Sequence, residues 1–277
     1  MRVGMRGGRD DVIRGAWIAE YPSRRNVAGS IGAGGTLPED MTIIVGACAA
    51  DGVVLVSDER AISFQNKSKA DNTAKILQIG GNCLVGMADD GPATMAALNS
   101  CGFAGSQEHR TIRFPDSVAN ALRKHYMGKT LTARWWEEEE DRLQHLGKPW
   151  DKDPHMTVLI AGYDARPFLY TIDQAAAFAP HSVAPHWAIG ITHWALPLLP
   201  FLYPKTNGKP AWGIEYATRV SVFCALITSK FSPWVGGCLT VAQILKDQGA
   251  RFLAPAEVND LELGAERMFD SWTSGFR

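Results

Sequence analysis

Nothing in the chain reaches the roughly 18 consecutive apolar residues that a membrane-spanning helix needs. The first residues lack the apolar segment of a secretory signal, so neither membrane insertion nor export is expected. Charge of one sign is missing too: 28 basic residues balance 29 acidic ones without a basic block, which leaves no electrostatic footprint for nucleic acid. The five cysteines (Cys48, Cys83, Cys101, Cys224, Cys238) are odd in number and scattered. They read as small buried hydrophobes in a reducing cytoplasm rather than as a disulfide framework. No phosphate loop, GxSxG elbow, HExxH or paired CxxC occurs, and no cofactor is expected. His181, His186 and His193 cluster at a spacing that fits no metal site, so no metal is expected either. The acidic run Glu137–Glu140 beside Trp135 and Trp136 reads as a solvated helix face, with the tryptophans against the core or a neighbouring subunit.

What is there suffices for a sizeable core: 277 residues, 46% of them hydrophobic, enough for one large domain or two small ones. Residues 1–40 are glycine-dense and hold no apolar period, so they are expected to carry little fold of their own. The texture changes at Met41. TIIVGACA and VVLVSDERA are strand-like runs joined by Asp51–Gly52, a hairpin signal. A polar loop, FQNKSKADNT, follows, then AKILQI and NCLVGMA about Gly80–Gly81. These four runs in hairpin order suggest one antiparallel sheet. Pro92 and Pro115 each open a helical pattern. Strands return at TVLIAGYD, PFLYTID and APHWAIGI, then a helix from about Trp212 to Lys230, then WVGGCLTVAQIL. Segregated runs of strands and helices argue α+β, with antiparallel sheets covered by helices.

Thr42, Val45–Gly46, Asp51–Gly52, VVLVS and Asp58-Glu59-Arg60-Ala61 together resemble the proteasome β-subunit group of N-terminal-nucleophile (Ntn) hydrolases, including HslV and its Anbu-like relatives. Lys75, AIGI and VGGCLTVAQI continue the likeness, which covers about Thr42 to Gly249. The resemblance implies a four-layer αββα sandwich over residues 42–250, preceded by a propeptide or mis-assigned extension over 1–41 and followed by a C-terminal tail or helix over 251–277. It implies a threonine-type peptidase in which Thr42, exposed as the first residue, is the nucleophile. Its own α-amine would serve as base, Lys75 would lower the pKa of that amine by like-charge repulsion, and Asp58 would hold Lys75. Supporting or oxyanion roles fall to Arg60, Asp89 and Ser232, and a substrate pocket to Ile62 and Met87. The implied partners are like subunits in a ring or coil, an unfolded polypeptide substrate and a separate ATP-driven unfoldase.

Some residues depart from the active pattern. Ile191 and Val235 stand where the family has serines, Ser232 where it has an acid, and Asp89 where it usually has glycine. A catalytically silent cage subunit and a small-substrate Ntn amidase therefore stand as alternatives. Competing structural readings make Asp58 and Arg60 a buried ion pair at a strand end and Lys75 a surface lysine. Thr42 itself is expected to face the surface and make few core contacts.

Overall fold

In a computed structural model of the chain, the Asp51–Gly52 turn joins two antiparallel strands, β1 (Ile43–Cys48) and β2 (Gly52–Asp58), with Val45 opposite Val56. The structure describes residues 42–63, 68–70, 73–89, 91–103, 106, 108–128, 156–203 and 212–274, with backbone alone for 61–63 and 68–70. All belong to one unit, Pro38–Arg277. The expectations for residues 1–41 and for Trp135 to Glu140 lie outside the described residues.

The four N-terminal runs do not form one sheet. β1 and β2 lie inside a five-stranded sheet ordered β10-β1-β2-β11-β12, completed by β10 (His186–Gly190), β11 (Leu239–Leu245) and β12 (Gly249–Phe252). The other two runs, β5 (Ile76–Gln78) and β6 (Cys83–Asp89), belong to a second sheet with β7 (Met156–Tyr163), β8 (Pro167–Asp173) and β9 (His181–Ser182). β2 takes β11 as its second neighbour, with Leu239 opposite Asp58. The polar stretch between the hairpins is not all loop, because β3 (Ala61–Ser63) and β4 (Ser68–Ala70) pair with each other.

β1 and β2 are buried on both faces, so with period-two alternation their residues run apolar without a break as far as Val56. Ile44, Val53 and Leu55 face the second sheet, meeting Leu84, Leu159 and Leu169. Ile43, Val45, Val54 and Val56 face the other way, into a cluster with Val220, Phe223 and Ile227. Those three come from the 18-residue helix α4 (Ile214–Phe231). A third cluster lies outside the second sheet, where Val85 and Val158 meet Ala93 and Leu98 of α1 (Gly91–Ser100) and Val118 and Leu122 of α2 (114–128). Helices thus cover the outer face of each sheet. A short helix absent from the sequence reading, α3 (Ala195–Leu202), adds Leu199 to the α4 cluster.

α4 has glycine at its N-terminal boundary and no side-chain cap of its own. The Ile214 amide donates instead to Asp51 Oδ1 at 2.8 Å, so the hairpin turn satisfies one of the four amides a helix start leaves open. The C-terminal segment folds as α5 (Pro255–Ser274), whose Val258 and Ala265 are buried in the α4 cluster. No helix among the described residues is long and apolar enough to cross a membrane.

Candidate active site

Asp58, the last residue of β2, is the hub of a buried polar cluster. Its Oδ1 accepts from Thr42 Oγ1 at 2.5 Å, from the Ile43 amide at 3.0 Å and from Lys75 Nζ at 2.9 Å. Its Oδ2 accepts from the Gly236 amide at 3.2 Å. Lys75 also donates to the Arg60 carbonyl. Thr42, Asp58 and Lys75 are 3%, 0% and 7% exposed. Lys75 is therefore no surface lysine, and Thr42 does not face the surface as expected. Threonine hydroxyl and lysine ammonium share one oxygen, so they can be no further apart than the two bonds together.

Backbone holds each group in place. β10 runs beside β1, and the Thr42 carbonyl accepts from the Ile191 amide at 2.7 Å. Gly190 turns at φ +83°, and a Cβ on it would lie 2.1 Å from the Thr42 carbonyl oxygen, so only glycine fits. The Asp58–Arg60 segment is braced by the loop before β11: Arg60 N donates to Gly236 O and Glu59 N to Cys238 O, while Glu59 Oε1 accepts from Thr240 Oγ1 at 2.7 Å. A Cβ on Gly236 would stand 2.8 Å from Arg60 Nη1. The backbone donors were not read in the sequence, although the Gly-Gly pair and Gly190 within AIGI were their signals.

The remaining candidates sit further out. Asp89 ends β6 at φ +65°, the left-handed region where aspartate is tolerated better than most residues. It lies at the Lys75 end of the second sheet, since the Met87 amide donates to the Lys75 carbonyl at 2.8 Å. The Met87 side chain is buried among Val85, Ala93 and Val158, and Ile62 is in β3. Ser232 follows α4 and is buried; its hydroxyl accepts from the Trp234 amide at 3.4 Å. Val235 is buried in the α4 cluster and Ile191 packs against it. Of the three histidines, His186 stacks edge-on against Tyr203 and His193 lies against Trp194. Among the described residues no group of three or more His, Cys, Asp or Glu could hold a metal ion.

Burial alone raises the Cys48 and Cys224 thiols to about 12 and lifts that of Cys83 as well, partly opposed by Arg110. These three thiols are therefore poor nucleophile candidates, whereas the Thr42 hydroxyl is placed beside both a carboxylate and an ammonium.

No protein-family model and no curated protein matches the chain. Among solved structures, an Anbu (Gly-1) mutant from Hyphomicrobium sp. strain MC1 is similar with a TM-score of 0.60 at 14% sequence identity, over 84% of this chain and 96% of that one. At that identity the likeness speaks for the fold alone: the chain shares with Anbu an α+β fold of two antiparallel sheets packed face to face, with helices outside.

Proposed function

We propose that the chain is a threonine-type peptidase with the four-layer Ntn-hydrolase architecture, its nucleophile Thr42 freed by removal of residues 1–41. The observation that carries this reading is the meeting of Thr42 Oγ1 and Lys75 Nζ on one oxygen of Asp58. The fold likeness to Anbu supports it, because Anbu-like proteins are among those the sequence resembles. Once the Met41–Thr42 bond is cut, the Thr42 amine takes the hydroxyl proton, directly or through a water, and Oγ1 bonds to the peptide carbonyl carbon. The amine then gives that proton to the departing amino group as the C–N bond breaks. Water hydrolyses the resulting ester and restores Thr42. Lys75 favours the unprotonated amine, Asp58 fixes Lys75, and the Asp89 amide is the proposed oxyanion donor, with Arg60 and Ser232 in support and Ile62 beside the substrate. Like subunits assembled as a ring or coil, unfolded polypeptide as substrate, a separate unfoldase and a cytoplasmic setting complete the reading.

One observation favours a silent structural subunit instead. Apolar Ile191 and buried Val235 occupy places where the resembling enzymes present hydroxyls to the amine. The two readings part on one experiment: intact-mass analysis of purified protein together with peptide hydrolysis. A mass beginning at Thr42 and turnover abolished by Thr42→Ala support the peptidase. A correctly trimmed protein without turnover supports the silent subunit.

A further inference from the structure

α5 carries a glycine for which its own chain has no use. Gly264 lies in the interior of a 20-residue helix, where only proline is less favourable, and a Cβ added there would meet no atom within 4 Å. What glycine does offer is close approach by another backbone. Gly264 opens on a groove of about 610 Å³ between α4 and α5, walled by Thr218, Gln243, Leu261, Ala265 and Met268 and lined as well by charged residues of both helices, Asp260 and Arg267 among them. The polar pair on its floor is satisfied, since Gln243 Nε2 donates to Thr218 Oγ1 at 2.7 Å. An apolar side chain can therefore enter without orphaning either group. Next to Gly264, Leu263 stands 48% exposed.

Charge selects the occupant. Asp260 and Arg267, both exposed, are two helical turns apart, about 10 Å, and so lie on one face of α5. They are equally far from the midpoint between Leu263 and Gly264. Among the described residues neither is in an ion pair. A pattern with opposite charges at equal distances from a centre is self-complementary when two copies cross antiparallel, and repulsive when they lie parallel.

We infer that α5 is a two-fold contact between two copies of this chain, crossing antiparallel at Leu263 and Gly264. Leu263 of each copy seats in the groove over Gly264 of the other, and two Asp260–Arg267 pairs flank the crossing, the same surface serving both sides as an isologous interface requires. This deepens the self-assembly proposed above and is independent of the chemistry at Thr42.

Sedimentation of the full chain, three charge variants and a mixture of two of them tests it, with circular dichroism confirming each fold. Wild type should contain an even number of subunits. Asp260→Arg alone and Arg267→Asp alone place like charges across both pairs; each should halve the assembly and raise its dissociation constant at least tenfold. The double variant Asp260→Arg/Arg267→Asp should restore it, and so should an equimolar mixture of the two single variants. An assembly unchanged by either reversal overturns this contact while leaving self-assembly standing. Failure of the mixture to reassociate overturns the antiparallel geometry and points to a different partner in the groove. A wild type that is monomeric at 10 µM, on the order of common interface affinities, overturns the contact and the assembly together.

Discussion

Replacing Lys75 by methionine keeps most of the apolar stem of the side chain and deletes the ammonium, with its bonds to Asp58 and to the Arg60 carbonyl. The ammonium lies 2.9 Å from Asp58 Oδ1, with both side chains buried, and breaking a buried pair from one side costs about 3–5 kcal/mol because a charge is left without its counterpart. Asp58 would still accept from Thr42 Oγ1 and from the Ile43 and Gly236 amides, which places the expected loss at the low end, about 3 kcal/mol. For a domain of this size each kcal/mol moves Tm by roughly 2–4 °C, so thermal unfolding followed by circular dichroism at pH 7 should fall by about 6–12 °C. Asp58→Asn added to Lys75→Met removes the stranded charge and should recover part of that loss, a coupling of about 1–3 kcal/mol. A drop of under about 2 °C for Lys75→Met, or strict additivity in the double variant, would refute the reasoning that these two groups form one buried unit.

Four further outcomes follow from the same geometry. Thr42→Ala removes one of four donors to Asp58 and should cost about 1.5 kcal/mol in denaturant titration; no measurable cost would contradict the bond. Gly190→Ala forces a Cβ against the Thr42 carbonyl oxygen at a positive φ and should destabilise by more than about 3 kcal/mol, so an unchanged midpoint would show that the β10 turn is wrongly placed. In native protein at pH 8 a maleimide should modify only the exposed Cys101 and Cys238 among the five cysteines, and all five after denaturation; mass spectrometry counts the adducts. Burial, and then Glu266 and Glu59 nearby, raise the Glu262 carboxyl above its ordinary value. Its ionisation therefore opposes folding, and the opposition is absent below the unfolded pKa and grows as pH rises through the folded one. Glu262→Gln should accordingly raise Tm at pH 7 and leave it unchanged below about pH 4; a gain that persists in acid would point to packing instead.

How much of this was legible in the sequence depended on the range of the interactions. The β1–β2 hairpin is local, and Asp51–Gly52 announced it. The assignment of the next two strands to a second sheet could not be read, because β2 finds β11 far along the chain, Asp58 opposite Leu239, and nothing local distinguishes that pairing from one with β5. β3 and β4 were hidden in a polar stretch without apolar alternation. Asp51 gave a turn signal, while its second task as cap of α4 is a long-range contact. Asp58 and Lys75 were singled out by resemblance, and the structure places them with Thr42 at hydrogen-bond distance. That Thr42 is buried follows from β10 and the Gly236 loop closing over β1, a tertiary effect that strand patterning does not encode.

Covalent labelling reports whether Thr42 is a working nucleophile. Protein whose intact mass begins at Thr42 is treated with an epoxyketone or β-lactone probe, and the adduct is located by tandem mass spectrometry. One adduct on Thr42 is expected, absent in Thr42→Ala and strongly slowed in Lys75→Met, with partial recovery at higher pH, where the Thr42 amine loses its proton without help. Correctly trimmed, folded protein that takes up no probe at Thr42 would contradict that expectation.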